Sequence, residues 1–506
     1  MCAGFVSGQD LSSSPAQEPP ETSPVIPPDA AGQTGSERAD AEEPAAPRSA
    51  RSTSRPPVVP SGPYLPTSQK TVEEQRRDII RFGTENEIAA LVQTLKSENA
   101  DYLDDDLITL VQNTMNRNIL SGVFSFFGER GREGLEDRAF RAVQDWDIEA
   151  ADTVLAAMDY LGKLNVEAAV PFLKAILDDE ERRFMAAAIR SLGRIGGGIP
   201  SQSKETAEYL IDYYTNRSPG DENHRNIIIA LGETGSPTGI EFLSEIAENN
   251  EERVPLRVAA LEALAKIKDP AGLDAVLSGA SSQDPNIRAA AVGSLGPFDG
   301  PDVTAVILEA FRDSFYRTRI GAAQAAGTRK LHAAVPYLAY RAERDEVPQV
   351  KDEAVKALGA IGSSEAEAVL RSFFEERKNS DRIRVLAAEM LMKDHPGVYA
   401  EKLIAEMDDA TGRKQTALYN GFLRVIGSAK APPLEALAGR FFASGGVIEK
   451  SYALDMVVNN EFRGLIDEVR TLADPKNGNL AHKAQTILEQ LDPSAKPAAQ
   501  TGSGGS

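Results

Sequence analysis

The sequence predicts an all-α protein: an α-solenoid superhelix of helical hairpin repeats with disordered termini. Three observations predict it. A small or apolar pair, most often Leu-Gly, recurs at nearly constant spacing from Leu161 to Leu488. Apolar residues within each recurrence fall at helical rather than alternating spacing. Alanine and leucine dominate the apolar set while aromatics make up only 6% of the 506 residues, which favours helices packed through small side chains over a β-sandwich. The chain is also longer than one compact domain usually is, as a repeat array is free to be.

Residues 1–70 hold 13 of the 30 prolines, set among Ser, Ala, Thr and Glu. So little periodic apolar content cannot offset the entropy of ordering the chain, and the segment reads as a disordered, partly polyproline-II tether. Its opening, "MCAGFVSGQD", has the small-residue end of a secretory signal at 1–8 without the basic and apolar regions that precede it. This points to export to a bacterial periplasm or cell envelope. Cys2 as the lipidated residue of a lipoprotein is the alternative, although the small apolar residues expected before it are absent; the plain reading is a cytoplasmic protein with a disordered head. Residues 493–506, "PSAKPAAQTGSGGS" from Pro493, read as a disordered tail.

Residues 71–150 read as an irregular helical N-terminal cap. "EIAALVQTL" (87–95) and "DDLITLVQNTM" (105–115) are helical, and Asp104 to Asp106 suit a helix N-cap. Phe127-Gly128 falls 34 residues before Gly162, where a degenerate repeat would end. Atypical units are expected at the end of a solenoid.

Residues 151–492 carry the repeats. The aligned pairs begin at Leu161, Leu192, Leu231, Leu264, Leu295, Ala326, Leu358, Leu391, Ile426, Val457 and Ile487, in steps of 30 to 35 residues apart from one of 39. Such a period marks a solenoid. In one unit, "AAVPYLAYRAERDE" (333–346) supplies a first helix and "VKDEAVKALGAIG" (350–362) a second, with Val350, Ala354, Val355, Leu358 and Ile361 on one face. Gly362 sits where a left-handed cap residue would stop that helix. The 39-residue step is expected to hold a long loop at "GRIGGGIPSQSKE" (193–205). Four residues before the aligned position stands alanine in most units, small enough to let a neighbouring helix approach. Seven residues before it stands a basic residue: Arg257, Arg288, Arg319, Lys351, Arg384 and Lys450, with His224 at the same place.

The pattern D-x-x-(V/I)-R-x-x-A-x-x-(A)-L-G resembles HEAT repeats, especially the short kind also found in phycobilisome-lyase-type proteins. "DPNIRAAAVGSLG" (284–296) matches it nearly position for position, while "DRIRVLAAEML" (381–391) departs at the glycine. The resemblance covers about residues 150–490. It implies a HEAT-like solenoid in which the basic column forms a structural ladder through Asp or backbone partners, or else faces an acidic partner. It also implies a non-enzymatic scaffold for protein–protein interaction, with a bilin or tetrapyrrole lyase or chaperone-like HEAT protein as the alternative.

Composition narrows the partners. A net charge of −21 opposes a phosphate backbone, so no nucleic acid is expected. One cysteine rules out an intramolecular disulfide, and no apolar run approaches the about 18 residues of a membrane span. None of the four histidines is followed by Glu, so the His-Glu metal ligands of HEAT-repeat hydroxylases are missing. Neither H-E-x-x-H nor G-x-S-x-G occurs, and the "GRIGGG" stretch lacks the G-K-[ST] of a phosphate loop. No catalytic residue, metal or cofactor is expected. One or more proteins are the expected partners, with the arm as a tether. Two irregular stretches are the candidate anchors: Phe124, Phe126 and Phe127 with Arg130 and Arg132, and Tyr209, Tyr213 and Tyr214 with Arg217, because aromatics beside Arg suit an interface; the plain reading of each is local core packing in an end cap or an ordinary helix.

Overall fold

The structure is a computed structural model that describes residues 71–98, 100–217 and 220–491. The arm at 1–70, with Cys2 and the candidate signal, and the tail at 493–506 lie outside the described residues. Twenty-six α-helices and no strand occur among the described residues.

The helices pair into hairpins. The first three are α1 (Val72–Phe82) with α2 (Glu85–Glu98), α3 (Asp104–Asn113) with α4 (Arg117–Arg130), and α5 (Glu136–Gln144) with α6 (Ala151–Lys163). Next come α7 (Val170–Asp178) with α8 (Arg182–Gly198), α9 (Pro200–Asn216) with α10 (Asp221–Thr234), and α11 (Ile240–Glu248) with α12 (Val254–Ile267). Then follow α13 (Leu273–Ala280) with α14 (Pro285–Ser294), α15 (Pro301–Ala310) with α16 (Tyr316–Thr328), and α17 (Val335–Arg344) with α18 (Pro348–Ile361). The array ends with α19 (Ser364–Glu375) and α20 (Asp381–Asp394), α21 (Pro396–Gly412) and α22 (Thr416–Gly427), α23 (Leu434–Ser444) and α24 (Val447–Asn460), and α25 (Ile466–Leu472) and α26 (Asn479–Leu491).

From α2 onward each even-numbered helix packs directly on the next, whereas successive odd-numbered helices pack on one another less extensively. The even helices form this more closely packed layer, called the inner layer, and the odd ones the outer layer. Between them runs one continuous apolar cluster from Ile80 to Leu488. The repeat columns line it. Ala157, Ala188, Ala260, Ala291, Ala322, Ala354, Ala387 and Ala453 are wholly buried, as are Leu161, Leu192, Leu231, Leu295 and Leu358. No single hairpin encloses this interior, which is why the repeat has to stack.

The glycine of each pair sets how closely the inner helices approach. A Cβ on Gly193 would sit 2.8 Å from Cα of Ala230, one on Gly232 2.8 Å from Cα of Ala263, and one on Gly359 2.8 Å from the sulfur of Met390. Those three partners stand one residue before the aligned position of the next repeat, so these contacts share one register, whereas Gly296 faces Thr328 and Gly427 faces Tyr452 at other positions of the next repeat. Gly128 approaches Cα of Tyr160 in this manner, which places the irregular first repeats in the same stacking scheme. Gly362 ends α18 with φ 63°, the left-handed conformation that a side chain disfavours.

Two local expectations are corrected. The stretch at 193–205 is not a loop: α8 continues through Gly196, Gly197 and Gly198, and α9 begins at Pro200. Glycine is a poor helix former, but here a Cβ on Gly197 would meet the carbonyl of Glu233 at 2.1 Å, and one on Gly198 the side chain of Asn165 at 2.2 Å. The extra residues of the 39-residue step lengthen two helices to 17 residues each. Asp104 to Asp106, in turn, form the first turn of α3 and the N-cap is Leu103. Asp106 accepts from Arg77 at 2.8 Å, which joins α3 to α1.

Candidate functional site

The basic column lies at the hairpin boundaries, where its members reach the carbonyls and carboxylates of the outer-to-inner turns. Arg288 donates to both carboxylate oxygens of Asp313, at 2.6 and 3.2 Å, and to the Ser282 carbonyl at 2.8 Å. The Asp313 carbonyl accepts from Arg319 at 3.0 Å, and Arg319 donates to both oxygens of Asp345 at 2.7 Å. Three successive repeats are thereby joined by one chain of bonds. Arg384 donates to the Phe374 carbonyl at 3.0 Å and to Glu406 at 2.6 Å. Arg257 and Lys351 each reach only a carbonyl of their own hairpin, Ala247 at 2.9 Å and Glu343 at 3.1 Å. Lys450 holds the same position in α24 and makes no such bond among the described residues. His224 packs its ring 4.4 Å from that of Tyr214.

Burial alone would raise the Asp345 carboxyl, but the Arg319 guanidinium and the Val347 N–H outweigh it and hold the group below its usual range. Asp313 follows the same balance, with Arg288 and the Phe315 N–H as its partners. Bidentate guanidinium–carboxylate pairs of this kind fix orientation as well as distance.

The aromatic candidates do not form an exposed patch. Phe124, Phe126 and Phe127 are at most 2% exposed. All three belong to the apolar core, with Phe124 against Tyr160 of α6 and Phe126 edge-on against Phe127. Arg130 lies over the Phe126 ring and donates to the carbonyls of Leu95 and Ala100, while Arg132 pairs with Asp104. Arg130 thus ties α4 back to the preceding hairpin, and Arg132 ties the end of α4 to the start of α3. In the second group Tyr213 is buried and donates to the Leu177 carbonyl, and Tyr209 donates to the Lys174 carbonyl, both at 3.2 Å. Tyr214 packs edge-on against Phe242. Arg217 is exposed, 3.8 Å from Asp178 and 3.7 Å from Glu180. These tyrosines brace α9 against α7 and α11, and offer a partner little surface.

The inner layer carries a groove that the sequence did not single out. A cleft of about 440 Å3 lies across α18, α20 and α22, floored by Val385, Leu386, Ala417 and Gly421. It continues past Ala417 and Gly421 into a cleft of about 200 Å3 that ends at Ile448 and Tyr452 of α24. Ile448 is 61% exposed. Lys356, Glu389 and Arg424 stand along it, each two residues before the aligned position of its repeat, giving alternating charge at the spacing of packed helices, about 8–10 Å. Arg382 covers the buried Asp352 at one side, with an N–O distance of 2.7 Å. The signal available in the sequence was this position of the repeat, polar in most units and exposed on the inner layer.

Among the described residues no group of three or more His, Cys, Asp or Glu side chains is placed to hold a metal ion. No described helix is long and apolar enough to cross a membrane.

A family model for the spirochaete HEAT repeat protein matches residues 80–487. The chain belongs to this HEAT-repeat family. No curated protein matches the HEAT-repeat protein significantly. Among solved structures it is similar to Kap121p, with a TM-score of 0.39 and 12% identity over 82% of this chain and 53% of that one. It thus spans about half the length of Kap121p. The karyopherin Kap121p bound to the extreme C-terminus of the protein phosphatase Cdc14p gives a TM-score of 0.39 at 11% identity, over the same shares of the two chains. The Escherichia coli protein YibA gives 0.34 at 16% identity, over 51% of this chain and 95% of that one.

Proposed function

We propose that this HEAT-repeat protein is a non-enzymatic scaffold that holds one or more protein partners along its inner helix layer. The inner-face groove across α18 to α24 carries the reading. Its apolar floor is contributed by several helices, so a partner side chain entering it would leave water against more than one repeat. The alternating Lys356, Glu389 and Arg424 would set the register of a segment lying along the floor, since mismatched charges are costly at an interface. Binding of this kind spreads over many modest contacts, as repeat arrays with extended concave faces allow.

The test is affinity capture from the native cell with a tag at the C-terminus. The wild type is compared with Ala417→Glu/Arg424→Glu on the groove and with Glu245→Lys on the outer layer. Both are surface changes and should leave the helical circular dichroism intact. The groove variant should lose partners that the outer-layer variant keeps. An identical partner set in all three would remove the groove from the account.

A further inference from the structure

The two ends of the array line a single cleft of about 520 Å3. Glu73 of α1, with Asp101 and Tyr102 before α3, forms one lip, and His482, Gln485 and Thr486 of α26 form the other. Helices from opposite ends of the sequence therefore share a boundary, and its chemistry differs from that of the boundaries inside the array. Inside, neighbouring inner helices are closed by glycine against backbone, as at Gly193 and Ala230, or by buried guanidinium–carboxylate pairs, as at Arg319 and Asp345. At the ends, the largely buried Arg76–Glu98 pair that also lines the cleft joins α1 to α2 within one lip, while Glu73, Asp101, His482 and Gln485 are all exposed. Solvated polar groups gain little from meeting one another, whereas burying a helix face gains in proportion to the apolar area covered. Each hairpin in a solenoid contacts only its neighbours, so small rotations at the inner boundaries accumulate at the ends.

We infer that this end-to-end seam is a gate: the array has a closed form in which the lips meet and an open form in which they part, and the seam is where a partner gains access to the inner layer. The access role rests on the inner-face binding proposed above. The opening itself does not, because it is a property of the chain alone.

The experiment is a distance measurement on the full chain. Cys2 is the only cysteine, so Cys2→Ser gives a clean background for spin labels at Asp101→Cys and Gln485→Cys. A control pair, Glu262→Cys with Gln324→Cys, spans the two inner boundaries between α12 and α16. Double electron–electron resonance should show two populations for the seam pair, a short one and a longer one, and one narrow population for the control. A single short population at the seam, as narrow as the control, would mean a welded junction and overturn the gate. Absence of any short population would mean that the ends do not meet and would overturn it too. Loss of partners in the groove variant together with a single seam population would leave the binding face standing and the gate refuted; two seam populations with no effect of the groove variant would do the reverse.

Discussion

Arg319 of α16 donates two hydrogen bonds of 2.7 Å to the carboxylate of Asp345, in the turn between α17 and α18, across a repeat boundary, with side chains only 6% and 1% exposed. Removing one partner strands a buried charge. Arg319→Ala or Asp345→Ala should each cost about 3–5 kcal/mol, and the double variant should cost less than the sum. Urea unfolding followed by circular dichroism measures this. Additive losses would mean that the pair is not coupled.

The same pair predicts an acid limit. The Asp345 and Asp313 carboxyls are held below their usual range in the folded state. A group with a depressed folded pKa contributes stability that is present above its unfolded value, about 3.9 for Asp, and lost as pH falls through the folded value. Stability should therefore decline below about pH 4, and Asp345→Asn should flatten that decline while lowering stability at neutral pH. Unfolding midpoints measured from pH 7 down to pH 2 decide it.

Glycine-to-alanine changes should split by location. Gly193→Ala places a methyl against the Ala230 backbone and should cost about 1–3 kcal/mol by overpacking. Gly122→Ala, within α4 and with nothing inside 4 Å, should instead gain about 0.5–1 kcal/mol from helix propensity. Thermal unfolding of the two variants measures the contrast, and equal shifts of one sign would contradict close approach as the reason for the glycine.

Phe126→Ala should destabilise the chain by about 3–5 kcal/mol through the cavity it leaves, and change partner binding only through that loss. Partner capture performed well below the variant's melting temperature, beside its melting curve, separates the two effects.

Much of this fold was readable in the residues, because each repeat must satisfy the same boundary and so repeats the same small set of side chains. Leu358 with Ala354, and Gly362 after them, announce a buried-face helix and its end from one unit alone. The carboxylate partners were harder to assign. Asp313 and Asp345 lie 25 and 26 positions after their arginines, so only the folded array shows which acid each one reaches. Two readings failed for opposite reasons. Local propensity made Gly196 to Gly198 look like a loop, and tertiary packing overrode it. Local composition made Phe124, Phe126 and Phe127 look like anchors, while the packing of neighbouring hairpins buries all three in the core. The groove at Val385, Leu386 and Ala417 was invisible because nothing in a single chain distinguishes the inner layer from the outer until their spacing is known.

The central claim is that the hairpins share one interior and none is a fold by itself. Its most direct measurement is thermal unfolding, followed by circular dichroism at 222 nm, of an excised hairpin, residues 333–362, beside the full chain. The account predicts a weakly helical peptide with no cooperative transition, against a sigmoidal melt of the whole array. A hairpin that melted as sharply as the array, and at the same temperature, would contradict it.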